Sequence, residues 1–346
     1  LAEERILVIQ LRQLGDILLT TPCLRAIKAE RPKARVTFLS HGMGRLILNQ
    51  NPFVDEHFFY GDDWSKMQEW QLARTLRQRK FDLVIDFMNN PRSAFYALMT
   101  GARERIAFHS ARRFAYTHTV PRPEPGHYIV DDKFLLLRDA GFAPSDRRLI
   151  LPWFEAHLQP LMKLCAEQPG FRDAPLRVII SPTHRRLVRR WPLRLYAELS
   201  DWLQSEWSAG VVWLWGPGEE AEIDEGIALC RRPAFKAPKT SFAEMSALIA
   251  NCDLFVGNSN GPSHVAVAAG ITSLQLHGHT SAAAWCPMTP EHQALQAPGY
   301  GQESMPDIAG ITLSNVQDKL RSMQQVIFDF AASKKNKRPR LSWRMP

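Results

Sequence analysis

The chain of 346 residues has no run of about 18 consecutive apolar residues, so no membrane-spanning helix is expected. Cysteine is scarce. Cys23, Cys165, Cys230, Cys252 and Cys286 are scattered, odd in number and never spaced as Cys-x-x-Cys. That argues against a disulfide framework or a cysteine-based zinc site and fits a reducing compartment. A complete Gly-x-Gly-x-x-Gly fingerprint is missing, leaving only 216-GPG-218 after a strand-like run. No Asp-x-Asp pair lies in a loop suited to a metal; in 61-GDDW-64 the acids are adjacent and precede a helix. The first segment, 5-RILVIQLRQLGDILL-19, is interrupted by charge and reads as a buried strand entering a turn, not as a signal peptide. Neither an aromatic-rich binding sheet nor a recognition motif for nucleic acid is visible, so nucleic acid is not an expected partner.

What is present is apolar content of 45%, ample for a core, in a length that favours two domains. The net charge is +8 and the isoelectric point about 9.4, a balance that favours anionic partners. The final stretch, 334-KKNKRPRLSWRMP-346, carries six bases and no acid. It is either a frayed tail or a segment that rests on anionic lipid.

Strand-like and helical runs alternate nearly throughout. Strands are expected at 5–11, 35–40, 81–87, 176–182, 211–217 and 253–257, and helices at 16–32, 66–80, 192–206, 219–230 and 241–252, with an alanine-rich helix after residue 260. Such alternation implies βαβ units and parallel sheets covered on both faces. The proline-bearing stretch 152–177 separates two similar blocks, which places the domain boundary near residue 170. Two α/β halves facing each other would leave a cleft, with ligands beyond the carboxyl ends of the strands.

Four loops after strands carry the chemistry-bearing residues. In 10-QLRQLGDILLTTP-22, Asp16 stands at a helix entrance, either as an N-cap or as a carboxylate that accepts a proton. In 181-SPTHRRLVRRWP-192, Ser181, Thr183, His184 and four arginines, Arg185, Arg186, Arg189 and Arg190, suit a diphosphate, which guanidinium groups bind by paired hydrogen bonds. In 213-WLWGPGEEAEI-223, the acids either accept from ribose hydroxyls or favour a helix N-terminus. In 257-GNSNGPSHVAVAAG-270, Gly261 is expected to need a conformation that only glycine tolerates, and the amides of 260–264 to form an anion site at a helix N-terminus with His264 as a donor.

Together these loops resemble the heptosyltransferases of lipopolysaccharide core synthesis, glycosyltransferase family 9, over nearly the whole chain. The resemblance rests on 15-GDILLTTPCLRAIKAERPKARVTFL-39, 81-FDLVIDFMNNPRSA-94, 182-PTHRRLVRRWP-192, 215-WGPGEE-220, 257-GNSNGPSH-264 and the turn 278-GHT-280, in that order. It implies an α/β fold of the GT-B type. Two Rossmann-like parallel-sheet domains would face each other across a cleft: 1–170 for the acceptor and 171–330 for the sugar nucleotide, followed by a basic tail from 331. It implies inverting, metal-independent transfer of L-glycero-D-manno-heptose from ADP-heptose to the inner core, with no cofactor beyond the donor substrate.

By position, Asp16 matches the general base, and Arg189 falls where the family usually has a diphosphate-binding Lys. Ser181, Thr183 and His184 match phosphate contacts. Glu220 matches the ribose-binding acid, with Glu219 its rival, and Thr240 lies near the adenine. Ser259, Asn260, Gly261 and His264 form the phosphate loop. Arg12, Arg92, Arg112 and Arg113 are acceptor candidates, with Arg45 and Arg105 nearby in sequence. The anionic acceptor implies a cytoplasmic protein peripherally associated with the inner face of the inner membrane.

One position departs from the family. Where it usually has an Asp, two residues after the first glycine of the last loop, this chain has Ser259. A serine supplies no charge to the donor sugar. A family-9 transferase with another nucleotide-sugar donor is therefore an alternative, as is a non-catalytic binder that keeps the same ligand site.

Overall fold

The computed structural model describes residues 3–151, 157–302 and 306–335. The chain divides into two compact units, Leu1–Pro152 and Trp153–Pro346.

The first unit carries β1 (Arg5–Ile9), β2 (Arg35–His41), β3 (Glu56–Tyr60), β4 (Leu83–Asp86), β5 (Glu104–Phe108) and β6 (His118–Val120). Its helices are α1 (Leu14–Leu18), α2 (Thr21–Glu30), α3 (Arg45–Leu48), α4 (Lys66–Gln78), α5 (Pro91–Thr100) and α6 (Ile129–Asp139). The strand order is β3-β2-β1-β4-β5-β6, all parallel. From Ile6 to Ile9, β1 is fully buried, as a central strand covered on both faces must be. The helix expected over 16–32 is in fact two. Pro22 has no N–H to extend α1 and sits instead in the first turn of α2. α5 starts where Asn90 accepts from Ser93 N with Pro91 in the first turn, and stops at left-handed Gly101.

The second unit carries β7 (Leu176–Ser181), β8 (Ala209–Trp213), β9 (Phe235–Lys236), β10 (Leu254–Asn258), β11 (Thr272–His277) and β12 (His292–Gln296). Its helices are α7 (Gln159–Glu167), α8 (Pro169–Arg172), α9 (Leu193–Trp207), α10 (Glu220–Ala228), α11 (Phe242–Ala250), α12 (Gly261–Ala269), α13 (Ala282–Trp285) and α14 (Leu313–Lys335). The order β12-β11-β10-β7-β8-β9, again all parallel, repeats the order of the first unit. The Ser241 cap and Glu244 expected from the sequence do form a reciprocal capping box at α11.

The division between units falls earlier than the expected boundary near residue 170. α7 and α8 belong to the second unit because they bury Leu161, Leu164, Cys165 and Phe171 there. α8 lies so close on β8 that a Cβ on Gly210 would stand 2.9 Å from Phe171 Cα. The tail expected from 331 begins later as well, since α14 continues to Lys335 and buries Ala331. Residues 336–346, most of the basic stretch, lie outside the described residues. Among the described residues no helix is long and apolar enough to cross a membrane.

Each sheet reverses its strand order once, between β1 and β4 and between β7 and β10. In doubly wound sheets ligands gather beyond the carboxyl ends of the strands at that reversal.

Candidate functional site

In the first unit the reversal is bordered by the loop after β1 and the loop after β4. Asp16, half-buried in α1, accepts a hydrogen bond at Oδ2 from Gln13 N at 2.9 Å. It therefore closes the N-terminal turn and still has its other oxygen for further contacts. Burial lifts its carboxyl above the usual carboxylate range, against the opposing charge of Lys133 and the Gln13 amide.

Lys133 is itself buried in α6 and donates from Nζ to Gln10 Oε1 at 3.0 Å. At the end of β4, the fully buried Asp86 accepts from Tyr116 Oη at 2.6 Å, Met88 N at 2.9 Å and Asn89 N at 3.0 Å. Those bonds fix Asn89 in a left-handed conformation, φ 49°. Its carbonyl in turn accepts from Arg112 Nε and Nη2 at 3.1 and 2.7 Å.

Arg12 and Arg92 converge on one ring. Arg12 Nε donates to Tyr60 Oη at 3.0 Å, and the Arg92 guanidinium lies 4.9 Å from the Tyr60 ring centre. Each also has an acid, Asp62 for Arg12 and Glu69 for Arg92. Arg113 is exposed, and Arg45 stacks over Phe59. Arg105 is different, because its guanidinium is spent on the backbone carbonyls of Ala102 and Ala115. It serves the chain's own fold rather than a ligand.

In the second unit, Ser181 ends β7 and Asn260 caps α12. Asn260 Nδ2 donates to Ser181 Oγ and to Thr183 O, both at 3.1 Å, while its Oδ1 accepts from Ser263 N at 3.2 Å. One side chain thus ties the β7 loop to the α12 N-terminus. Asn258, fully buried, does the rest. Its Oδ1 accepts from Trp191 N and Tyr196 Oη, both at 3.0 Å, and its Nδ2 donates to Pro182 O.

The expectation for Gly261 is corrected. It lacks a left-handed φ, and a Cβ there would meet nothing within 4 Å. The glycine that packing requires is Gly257, where a Cβ would stand 2.7 Å from Ser181 O. Ser259 is half-buried and donates its backbone N–H to Leu276 O at 3.0 Å.

Two buried nitrogens of this unit lack partners, one on the loop after β7 and one in the first turn of α12. Both Arg189 Nε and His264 Nδ1 are shielded from solvent and unbonded among the described residues. His264 is 5% exposed, and burial lowers its pKa to about 4, so the ring is neutral at physiological pH. His277, at the end of β11, is lowered to about 3, first by burial and then by His264. It pairs with Thr280 Oγ1 at 3.2 Å and Gln275 Oε1 at 3.3 Å. Backbone amides at a helix N-terminus and a guanidinium are each receptive to an anion.

Of the four loop arginines, Arg190 is already paired internally, with Glu222 and with His184 O at 2.6 Å. His184 Nδ1 accepts from Arg186 N at 2.9 Å, and burial followed by the Arg189 charge lowers its pKa. Glu219 Oε2 accepts from Thr183 Oγ1 at 2.7 Å and from Gly216 N at 2.8 Å. The Glu220 carboxylate instead meets Lys236 Nζ at 3.1 Å on the outside of α10. Thr240 is half-buried immediately before the α11 cap.

Residues 69–307 match the model of glycosyltransferase family 9 (heptosyltransferase). The chain belongs to that family. Curated relatives include lipopolysaccharide heptosyltransferase 3 of Escherichia coli K12, 27% identical over 81% of this chain and 84% of the relative. Another is lipopolysaccharide heptosyltransferase 2 of the same organism, 24% identical over 80% of this chain and 83% of the relative. Among solved structures, a glycosyltransferase of family 9 from Veillonella parvula shares the fold with a TM-score of 0.82 at 19% identity, over 94% of this chain and 98% of that one. The E. coli heptosyltransferase WaaC, solved with ADP-2-deoxy-2-fluoro heptose, has a TM-score of 0.68 at 17% identity, over 92% and 99%. The two six-stranded parallel sheets are thus those of a GT-B glycosyltransferase.

Within this family member, Lys133, Gln10, Asp86, Asn258 and His277 escaped the sequence reading. Lys133 did leave a signal. In 129-IVDDKFLLLRD-139 it falls on the apolar stripe of Val130, Phe134 and Leu137, where a charge must be paired or functional.

Proposed function

We propose that this chain transfers L-glycero-D-manno-heptose from ADP-heptose to the lipopolysaccharide inner core, with inversion, with Asp16 as general base and without a metal. The observation that carries the reading is the pair of buried, unpartnered nitrogens, Arg189 Nε on the loop after β7 and His264 Nδ1 in the first turn of α12. Leaving a buried donor unbonded costs about 1–3 kcal/mol. A diphosphate offers acceptors for both, with Ser181, Thr183, His184, Asn260 and Gly261 bordering the same place and Ser259 beside the sugar. Arg189 then neutralises the ADP leaving group as the bond between the anomeric carbon and the diphosphate oxygen breaks.

Asp16 takes the proton from the acceptor hydroxyl as that oxygen attacks the anomeric carbon. Its raised pKa supports the role, since a base works best when poised toward the operating pH. The arginines ordered around Tyr60 and Asn89 supply cations for the carboxylates and phosphates of an inner-core acceptor. Such an acceptor is lipid-linked, which assigns the chain to the inner face of the inner membrane.

The test is incubation with ADP-heptose and a series of truncated core acceptors, read by mass spectrometry. Asp16→Asn is expected to lower turnover by about 10²–10⁴-fold. Full turnover in that variant sinks the base assignment, and no product with any core acceptor sinks the substrate assignment. Ser259 favours one second reading, a different nucleotide-sugar donor. Thermal-shift competition of ADP-heptose against UDP- and GDP-sugars separates the two.

A further inference from the structure

Lys133 is a buried amine, its pKa lowered by burial and held up first by the Asp16 charge, that the reaction scheme above leaves unused. We propose that Lys133 is a positioning residue for Asp16, holding its carboxylate ionised and oriented through a relay made of Gln10 and the peptide group between Arg12 and Gln13. The proposal rests on the assignment of Asp16 as the base.

The relay is continuous. Lys133 Nζ donates to Gln10 Oε1 at 3.0 Å. Gln10 Nε2 donates to Arg12 O, the carbonyl of that peptide group. The N–H of the same group, on Gln13, donates to Asp16 Oδ2 at 2.9 Å. Each intermediate group accepts from the side of Lys133 and donates toward Asp16. Each bond therefore polarises the next, and the accumulated polarisation ends on the carboxylate.

Other groups also surround Lys133. On β4, Asp86 already has three donors. On α2, burial pushes the Cys23 thiol up to about 12, which keeps it neutral. On α6 itself, Asp132 also feels the Lys133 charge and has a buried, unpaired Oδ1, but its influence on Lys133 ranks below those of Asp16, Cys23 and Asp86. The Phe87 ring, 5.0 Å away, adds only a quadrupole. Among the charges that counter the burial of Lys133, Asp16 is the largest. Lys133 is 4% exposed, so solvent reaches the pair only at the half-buried Asp16.

Lys133→Met keeps the length and removes the charge. Two readings are taken on the full chain. One is the pH profile of kcat/KM for heptose transfer. The other is a ¹³C titration of the Asp16 carboxyl without substrate. The acidic limb and the carboxyl titration are both expected to move up by about one pH unit. A merely structural lysine would lower the melting temperature or kcat and leave both titrations in place; that result overturns the proposal. Should Lys133→Met fail to fold, Gln10→Leu retains the ammonium but breaks the relay. It is expected to move the carboxyl titration in the same direction by a smaller amount, and an unmoved titration again overturns the proposal. Failure of the base assignment is read separately. Asp16→Asn would then keep turnover, while the ¹³C titration would still report whether Lys133 controls the carboxyl.

Discussion

Glu219 Oε2 accepts the Thr183 hydroxyl at 2.7 Å, whereas its neighbour Glu220 turns to Lys236. Adjacent residues on a helix point about 100° apart, so only one of two neighbouring acids can face the loops beyond β7 and β8. Here it is Glu219 that faces them.

The choice is measurable by calorimetry with ADP. Glu219→Ala removes a charged acceptor that organises Thr183 and Gly216, and each such bond is worth about 1.5–3 kcal/mol. We expect the Kd for ADP to rise at least about tenfold, the equivalent of about 1.4 kcal/mol. Glu220→Ala breaks an exposed ion pair and is expected to change the Kd by less than about twofold. The reverse ranking would return the ribose contact to Glu220.

The glycine-rich loop yields a second contrast, in stability. Gly257→Ala drives a Cβ to within 2.7 Å of the Ser181 carbonyl and 2.9 Å of its Cβ, so β7 must move. Overpacking of this kind costs about 1–3 kcal/mol. Gly261→Ala meets nothing within 4 Å and replaces glycine in a helix, which is expected to leave stability unchanged or raise it by about 0.5 kcal/mol. Urea midpoints of the two variants decide the matter. Equal losses would contradict the packing described here.

These glycines also show what the sequence could reveal. That the loop is special is legible in its composition; which glycine is constrained depends on how near the β7 backbone passes. The central strands β1, β2, β4, β7, β8 and β10 were readable because both faces are buried and their residues run apolar. The edge strands β3 and β9 are only partly buried, and their sequences, 56-EHFFY-60 and Phe235–Lys236, offer little pattern. β11 is fully buried, yet its Ser273, Gln275 and His277 hide it. Site residues in strand-to-helix loops were visible as clusters. Lys133 and Asp86 were not, because their partners are brought together only by the fold.

Asn258 is expected to be a structural keystone of the second unit. Its side chain satisfies Trp191 N, Tyr196 Oη and Pro182 O in a place closed to water. Asn258→Leu leaves those three groups unpaired, each costing about 1–3 kcal/mol. A loss of at least about 3 kcal/mol in urea unfolding is expected, with far less from Ser259→Ala one residue on. A loss below about 1 kcal/mol would mean that the loop re-pairs its polar groups without Asn258.

The buried imidazoles set a pH dependence of stability. In the folded chain burial holds His264 near 4 and His277 near 3, both below the usual 6.5. The unfolded chain therefore binds protons first as pH falls, and stability declines with it. The contribution of each histidine is fully present above 6.5 and is lost progressively down to its folded value. The slope is at most about 1.4 kcal/mol per pH unit for each ring. Buried carboxyls such as Asp16 and Asp86 act in the opposite sense, because their raised values favour the folded state in acid. The informative quantity is consequently a difference between proteins. Urea unfolding of the parent chain and of His264→Gln, followed between pH 6.5 and 4, should give a shallower decline in the variant, by about one proton in the linkage slope. Parallel slopes would show that His264 is already protonated in the folded chain, and a charged ring would then face the α12 amides in place of the neutral one described above.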